Sequence, residues 1–278
     1  MPIRVFALIL VAAALHATWN ALVKSATDKV AATIMVATTA GVLAGLILPF
    51  LPPPARESWP FISISAVCET LYYVLLANTY RHGDMSRVYP LMRGSAPLLV
   101  AAAGVVLIGE PLSIFGWIGI AVVSFGVIGL AASPGKGSDK TGILFALGNA
   151  VVIAAYTLID GLGVRRSMSP LAYTMWIFLL PAIPLAIWAA SKKRGAFGRS
   201  ILARLPTAVV GGIATMVSYG LALWAMTFVP VALVAALRET SILFAVAISA
   251  LILKEKVGLG RIAMACFIAL GAAILRLA

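Results

Sequence analysis

Two arginines and two glutamates recur at the same spacing inside or beside long apolar stretches. Arg93 is followed 17 positions later by Glu110, and Arg238 is followed 17 positions later by Glu255. A guanidinium at membrane depth is so costly that it marks a binding site or a pathway more often than a packing position. Glu239, next to Arg238, breaks the symmetry between the two copies. It could belong to a specific binding site, or it could neutralise Arg238.

A glutamate lies in the middle of the third apolar stretch, with two tyrosines on the same side. Glu69, Tyr72 and Tyr73 are spaced i, i+3 and i+4, which places them on one face of a helix. An ionised carboxylate at the bilayer centre is so costly that it should be protonated or paired, and a group that gains and loses a proton there suits proton coupling. The alternative is a neutral Glu69 that hydrogen-bonds a neighbouring helix and has a structural role.

The first apolar stretch carries a polar and aromatic face of its own. His16 and Asn20 are one helical turn apart, and Trp19 lies beside them. Histidine changes protonation near neutral pH, so His16 could relay protons, and a satisfied buried histidine is the alternative. The only other histidine, His82, falls in a loop, which leaves a metal site built on paired histidines without support.

The depths of the two arginines depend on the direction in which their helices cross the membrane. Arg93 lies about six residues into its stretch and Arg238 about eight residues into a stretch that begins at the opposite face, so each is roughly 8 to 12 Å below its own surface. This predicts either that both side chains reach toward the nearer interface or that they line opposite ends of a central cavity. In the second case, an anionic group would meet one arginine from each side during alternating access.

The charges predicted in the interior balance, and aromatic residues surround them. Two arginines stand against Glu69 and Glu239, which suits a small zwitterion such as an amino acid or an amino-phosphonate. Five aromatic residues are predicted to form the walls of this cavity: Trp19, Tyr72, Tyr73, Tyr219 and Trp224.

Composition assigns the chain to the membrane proteins. Hydrophobic residues make up 62% of the 278 and charged residues 11%, whereas a soluble domain is about one-quarter charged. The net charge of +12 comes from short clusters that flank apolar runs, a pattern typical of membrane flanks rather than of nucleic-acid binding. Ten stretches are long enough to cross about 30 Å of hydrocarbon. They are residues 3–23, 30–50, 59–80, 88–108, 113–132, 141–162, 171–190, 206–228, 231–253 and 257–277.

The two halves of the chain repeat each other. An offset of 145 residues superposes the two arginine and glutamate pairs, and it also superposes Gly271 on Gly126. A glycine- and serine-rich linker, residues 133–138, lies between the halves, so we expect repeats at residues 1–135 and 136–278. Five helices per repeat force the second copy to enter the membrane from the opposite side. The predicted fold is therefore an all-α integral membrane protein with ten transmembrane helices arranged as two inverted five-helix repeats.

The positive charges are distributed unevenly between the two membrane faces. Fourteen of the 21 lysines and arginines fall in loops that follow odd-numbered helices, including a predicted loop at residues 192–204, against five on the other side. By the positive-inside rule, the odd loops are cytoplasmic and both termini lie outside.

Four short motifs carry a family resemblance. Ala-Thr-Trp-Asn occupies residues 17–20, a proline follows Tyr89 in the fourth helix, and Gly-Glu-Pro-Leu at residues 109–112 leads into a glycine-rich fifth helix. The second half repeats the last part as Lys-Glu-Lys-Val-Gly at residues 254–258. With five plus five helices, these motifs resemble the EamA family of the drug/metabolite transporter superfamily over the whole chain. The resemblance implies a transporter, leaves the substrate unspecified, and implies cytoplasmic termini, in conflict with the charge count.

These observations predict a secondary active transporter, either an exporter or a proton-coupled carrier of a small metabolite, working by alternating access in a bacterial inner (plasma) membrane. Two other classes stay open: an integral-membrane enzyme that uses His16, Glu69 and Arg93 for acid–base chemistry, and a non-transporting sensor or assembly subunit. We expect a monomer or homodimer whose partners are lipid, a small-molecule substrate and protons, with no nucleic acid, cofactor or metal. Proton coupling is assigned to Glu69 and His16, and substrate binding to Arg93, Arg238, Glu239, Tyr72, Tyr73, Trp19, Asn20 and Tyr219.

Overall fold

The computed structural model describes residues 1–26, 28–132, 140–192, 196–251, 254 and 258–278. Regular structure in these residues is helical, with short turns between the helices. The helices are α1 (Ile3–Lys24), α2 (Lys29–Ile47), α3 (Trp59–His82), α4 (Met85–Ala103), α5 (Ile114–Gly129), α6 (Lys140–Arg166), α7 (Pro170–Lys192), α8 (Ala196–Met226), α9 (Val231–Arg238), α10 (Ser241–Leu251) and α11 (Leu259–Leu277).

The predicted all-α membrane fold is confirmed. Within the described residues, nine helical segments are long and apolar enough to cross a membrane, and α5, with 16 residues, is a shorter apolar tenth. A 3-10 turn, Leu130–Ala132, extends α5. Large apolar side chains such as Phe50 and Leu107 are 86% and 78% exposed, and exposed apolar surface of this kind suits lipid contact. The ten predicted spans are therefore present, with α9 and α10 together forming the ninth.

The ninth span is not the continuous helix that hydropathy predicts. It is interrupted between Arg238 and Ser241, where Glu239 and Thr240 form a turn. The N–H groups of Glu239 and Thr240 donate to carbonyl oxygens three residues earlier, and the Thr240 hydroxyl donates to the Leu237 carbonyl oxygen at 2.6 Å. Such short-range bonds tighten the backbone and compete with the α-helical pattern. The interruption brings Arg238 and Glu239 into the interior of the fold, where both are buried.

The eighth span begins earlier than composition predicts. The basic segment 192–204 is predicted to be a loop, yet α8 begins at Ala196 and contains Pro206. That prediction is wrong because alanine and arginine, which recur in the segment, are strong helix formers, and basic composition does not by itself end a helix.

Three features predicted from the sequence lie outside the described residues. They are the linker 133–138, the part of the basic segment at 193–195, and Glu255 with residues 256–257. The relation of Glu255 to Glu110 therefore stays a sequence prediction.

The largest helix contacts join the two halves of the chain. α1 packs along α8, and α3 packs along α6. In addition, α2 packs against α7, α5 packs against α11, and α4 contacts α9. Exchanging each span with the one five spans later converts the α1–α8 contact into the α6–α3 contact and leaves the other three pairs unchanged. This is the contact pattern of a pseudo-twofold repeat. The two halves depend on each other for packing, since each covers the helices of the other.

Small residues allow α5 and α11 to approach closely. A Cβ atom on Gly126 would lie 2.9 Å from the Met264 carbonyl oxygen, and one on Gly271 would lie 2.7 Å from the Val123 backbone nitrogen. The two glycines related by the repeat therefore serve the same internal interface, as small residues do between membrane helices.

The Gly-Glu-Pro-Leu motif joins the fourth span to the fifth. α4 continues through a π-helical turn, Gly104–Ile108, after which Gly109 adopts a left-handed φ of 73° that glycine takes without strain. Ser113 then caps α5 by accepting a hydrogen bond from the Gly116 N–H at 3.1 Å. Between these two points, the side chain of Glu110 reaches the start of α9.

Candidate functional site

A cavity of about 100 Å³ lies at the centre of the fold. Eight helices, α1 to α4 and α6 to α9, contribute side chains to it, so both halves of the chain form its walls. From the two arginines it extends past Tyr80 and Tyr89 toward the membrane face where α3 ends and α4 begins. We call this face the open face, and the opposite face, where α1 begins and α11 ends, the terminal face.

Most of the predicted site residues meet at this cavity. Nine of the ten line it: His16, Trp19, Asn20, Glu69, Tyr72, Tyr73, Arg93, Tyr219 and Arg238. The tenth, Glu239, contacts Arg93. Trp224, also predicted as a wall, instead packs against Phe228, with ring centres 4.6 Å apart. The roles of the ten residues in binding substrate or protons stay predictions.

The helix faces predicted from residue spacing in α1 and α3 both line the cavity. The Trp19 Nε1–H donates to His16 Nδ1 at 3.2 Å, and the Asn20 amide donates to the His16 carbonyl oxygen at 2.8 Å. Glu69 is half-buried beside Tyr72, and within the described residues its carboxylate makes no hydrogen bond or ion pair. A carboxylate in this position can exchange a proton with the cavity.

Arg93 is held by Glu239 in a buried two-point ion pair. Arg93 Nη2 lies 2.6 Å from Glu239 Oε1, and Arg93 Nε–H donates to Glu239 Oε2 at 3.2 Å. The two side chains are only 9% and 4% exposed. The two parallel bonds match the planar guanidinium to the carboxylate, which is the strong geometry for such a pair. Glu239 therefore neutralises Arg93, and not its neighbour Arg238 as the sequence allowed.

Arg238 lacks a comparable partner. Its guanidinium carbon lies 4.7 Å from the centre of the Tyr219 ring, and its buried Nε has no hydrogen-bond partner. No carboxylate in the described part of the chain lies within ion-pair distance of it. The cation–π contact stabilises the charge but leaves the Nε–H donor unsatisfied.

Asp160 is a buried carboxylate on α6 that sequence analysis missed. It is fully buried, and it accepts hydrogen bonds from the hydroxyls of Tyr219 at 2.6 Å and Tyr173 at 3.0 Å. It thereby fixes the ring on which Arg238 rests. The available signal was an acidic residue in an apolar stretch, one helical turn after Tyr156, which lines the cavity.

The two arginines lie neither at opposite ends of the cavity nor at the membrane interfaces, contrary to both predictions from their depths. Both line the same cavity, and they are 8% and 9% exposed. At 1.5 Å per residue, the backbones of Arg93 and Arg238 differ in depth by only about 7 Å of the 30 Å hydrocarbon layer. Because an arginine side chain is long enough to cover such a difference, the two guanidinium groups reach a common level.

A second cavity, of about 20 Å³, lies beyond the ion pair. Arg93, Tyr156 and Arg238 border both cavities, whereas Pro97 and Ala235 line the second one alone. This space is sufficient for about one water molecule. Since α4 runs from Pro97 to the terminal face and α9 begins there before Ala235, the ion pair separates the main cavity from that face.

Glu110 joins the ends of three spans at the terminal face. Its carboxylate accepts a hydrogen bond from the Arg165 guanidinium and another, at 2.9 Å, from the N–H of Val231, the first residue of α9. Arg165, near the end of α6, also donates to the carbonyl oxygens of Met226 and Val229 at 2.7 and 3.1 Å. We call the Glu110–Arg165 pair the terminal lock.

The cavity is equipped to recognise a small charged molecule. Its tyrosine-rich walls surround a guanidinium and a carboxylate that have no ion-pair partner within the described residues. Few polar groups in a largely apolar pocket are typical of small-molecule sites. In the part of the chain that the structure describes, no three histidine, cysteine, aspartate or glutamate side chains converge as metal ligands would.

Comparisons with known proteins identify the family. The model of the EamA-like transporter family matches residues 4–132 and again residues 140–277. An "uncharacterized transporter in cobO 3'region" from Sinorhizobium sp is 32% identical over 78 residues, which cover 28% of this chain and 54% of that protein. An "uncharacterized protein y4nH" from Sinorhizobium fredii is 32% identical over 85 residues, 29% of this chain and 73% of that protein. A solved crystal structure shares the fold, with a TM-score of 0.75 at 18% identity over 100% of this chain and 98% of the other.

The family match and the fold agree with each other. The family model matches once in each half of the chain, and the helix contacts repeat in the same five-plus-five pattern. The chain therefore belongs to the EamA-like transporter family, and it is a multi-pass membrane protein.

Proposed function

We propose that the protein is a secondary active carrier that moves a small zwitterion or organic anion, such as an amino acid, across a bacterial inner membrane. The observation that carries this proposal is the central cavity, whose walls come from both repeats and which extends toward the open face while the terminal lock joins the helix ends opposite. In an inverted repeat, rocking the halves exchanges such a state for its counterpart open to the other face. The unpaired guanidinium of Arg238 favours a substrate with an anionic group, and Glu69, when ionised, can receive a cationic group of the same substrate.

Coupling to protons is the second part of the proposal. Glu69 and His16 line the same cavity as the two arginines, so a proton and a substrate would compete for, or share, one space. Such sharing couples the two fluxes. If the proton and the substrate compete, the substrate leaves in exchange for an entering proton; if they bind together, both move in the same direction. The proton gradient is then the energy source.

Transport by the purified protein in proteoliposomes tests the proposal. Uptake and counterflow of radiolabelled amino acids and organic anions are measured with an imposed pH gradient. Ala37→Phe, which fills the cavity, should abolish the flux, whereas Val42→Phe on the exposed face of the same helix is the matched control and should retain it. Flux that survives Ala37→Phe would contradict a route through this cavity. Chemical conversion of a substrate without net movement would favour a membrane enzyme, and the absence of flux a sensor.

A further inference from the structure

The two arginines of the cavity are related by the repeat but differ in what they can bind. Arg93 uses Nε and Nη2, one edge of its guanidinium, to hold Glu239. A carboxylate ligand needs such an edge to form two parallel hydrogen bonds. A ligand that used this edge of Arg93 would first have to displace Glu239.

Arg238 has no such competitor among the described residues. It is 9% exposed, it lines the cavity, and its Nε has no hydrogen-bond partner among the described residues. An ionised group that is nine-tenths buried without a counter-charge is unfavourable, and an anion that enters the cavity relieves this cost. Guanidinium recognises planar oxyanions better than an ammonium group does, because its donors form a rigid fork.

Three helices fix the position of Arg238. Tyr219 on α8 lies beneath the guanidinium, and its hydroxyl donates to Asp160 on α6. Asp160 in turn accepts from Tyr173 on α7. The ring under Arg238 is thereby held at its hydroxyl end, so the guanidinium is presented to the cavity in one orientation.

We propose that Arg238 binds the anionic group of the substrate, a carboxylate or another planar oxyanion, and that Arg93 does not. The inference rests on the proposed function, which it narrows to substrates with such a group. Asp160 and Tyr219 act as positioning residues for Arg238. A positively charged group on the same substrate would face Glu69, which lines the same cavity without an ion pair among the described residues.

A comparison of amino acids with their amides tests whether Arg238 binds the carboxylate of the substrate. Binding of leucine and leucinamide, and of phenylalanine and phenylalaninamide, is measured by calorimetry on the purified full-length protein. Each amide keeps the amine and the side chain but lacks the carboxylate. We expect the wild type to prefer the acids, and Arg238→Gln to weaken acid binding roughly ten- to a hundredfold, the scale of a lost charged hydrogen bond, with amide binding changed by less than about twofold. Arg238→Lys, which keeps the charge and loses the fork, should lie between.

Three further variants complete the comparison. The double variant Arg93→Gln/Glu239→Gln should retain the preference for acids over amides, because it removes the ion pair without leaving Glu239 as an unpaired carboxylate beside Arg238. Arg4→Gln, at an exposed position at the start of α1, is the control for loss of one arginine and should behave as the wild type. Tyr219→Phe keeps the ring and removes the hydroxyl, so it should lower the acid preference while leaving amide binding unchanged.

The outcomes distinguish this inference from the proposed function. An unchanged ratio of acid to amide affinity in Arg238→Gln, or an equal loss in the double variant Arg93→Gln/Glu239→Gln, would overturn the assignment of Arg238 while leaving transport by the wild type intact. A wild type that binds and transports none of the four compounds would contradict the proposed function as well. If Arg238→Gln does not yield monodisperse protein, Arg238→Lys decides, and a full wild-type preference in that variant would overturn the assignment.

Discussion

The charged side chains in the interior of the protein fall into three groups, according to the partners that hold them. Arg93 and Glu239 neutralise each other, Asp160 is held by tyrosine hydroxyls, and Arg238 and Glu69 face the cavity without an ion pair within the described residues. Burying an ion is tolerable only where partners offset the lost hydration. Substitution of the paired residues should therefore change stability, and substitution of the unpaired ones should change binding or coupling.

Breaking the buried pair should destabilise the fold. Glu239→Gln leaves Arg93 uncompensated, and we expect the free energy of unfolding to fall by about 3–5 kcal/mol, with a similar loss for Arg93→Gln. The double variant removes both charges, so its loss should be clearly smaller than the sum of the two single losses. Unfolding in detergent, followed by circular dichroism, measures all three against the exposed Arg4→Gln control. Additive losses would show that the two side chains do not stabilise each other.

Removing the titrating group of Glu69 should separate proton coupling from substrate movement. Glu69→Gln keeps the size and polarity of the side chain, but it cannot gain or lose a proton. We expect accumulation driven by a pH gradient to be lost while exchange of labelled for unlabelled substrate continues. Both fluxes are measured in the same proteoliposomes, with Glu57→Gln, outside α3, as the carboxylate control. Accumulation at the wild-type rate in Glu69→Gln would remove this residue as the coupling site.

Helical spacing and the rarity of charge in apolar stretches were sufficient to find the lining of the cavity. Glu69, Tyr72 and His16 could be placed on helix faces from the sequence, and the structure brings these faces together. The partner of each charge was not predictable, because it depends on the rotation of α4 against α9, which hydropathy does not record. Asp160 was missed since the predicted span ended two residues after it, whereas α6 continues to Arg166.

At the scale of helices, hydropathy located the spans but not the interruption within one of them. The ninth span is apolar on both sides of Glu239 and Thr240, so its average hydropathy hides the turn between α9 and α10. Broken membrane helices place backbone ends and charged side chains at mid-membrane depth, where carriers bind their cargo. The Gly-Glu-Pro-Leu motif is likewise recognisable in the sequence, but the role of Glu110 depends on Arg165 and Val231, which lie far away along the chain.

Weakening the terminal lock should make the second cavity accessible. Glu110→Gln removes the charge that pairs with Arg165 but can still accept from the Val231 N–H. In a background with Cys68→Ser and Cys266→Ser, a cysteine introduced as Ala235→Cys lines that cavity. We expect it to react with a water-soluble maleimide roughly tenfold faster when Glu110→Gln is also present.

A probe in the main cavity provides the control for this experiment. Thr33→Cys lines the cavity that extends to the open face, so Glu110→Gln should leave its labelling unchanged or slow it. Equal acceleration at both positions would indicate general loosening of the fold and not opening of the terminal face. Unchanged labelling of Ala235→Cys would show that the lock does not control access.

At the scale of the whole molecule, the inverted repeat accounts for both the packing and the cavity. Exchanging the two halves preserves the set of helix contacts. It does not preserve the charges, because Glu239 in the second half corresponds to Gly94 in the first. An inverted repeat of this kind would give the backbone two nearly equivalent arrangements, which the proposed alternating access requires. Under that proposal, the unequal side chains would present a different set of contacts to the substrate in each arrangement. An offset of 145 residues was enough to predict the symmetry, but not which arginine would remain unpaired.

The cavity mouth and the end of the chain lie at opposite faces of the membrane, so an experiment that locates one of them in the cell also locates the other. The Arg276 guanidinium donates to the Met1 carbonyl oxygen at 2.6 Å at the terminal face, whereas Thr33, near the start of α2, lines the cavity toward the open face. We expect a reporter fused after Ala278 to be cytoplasmic, as the family implies, and Thr33→Cys to be labelled from outside the cell by an impermeant maleimide. A periplasmic reporter with Thr33→Cys reached only from the cytoplasm would instead show that the lysine and arginine distribution orients the chain. A reporter and a label on the same side would contradict the arrangement of spans itself.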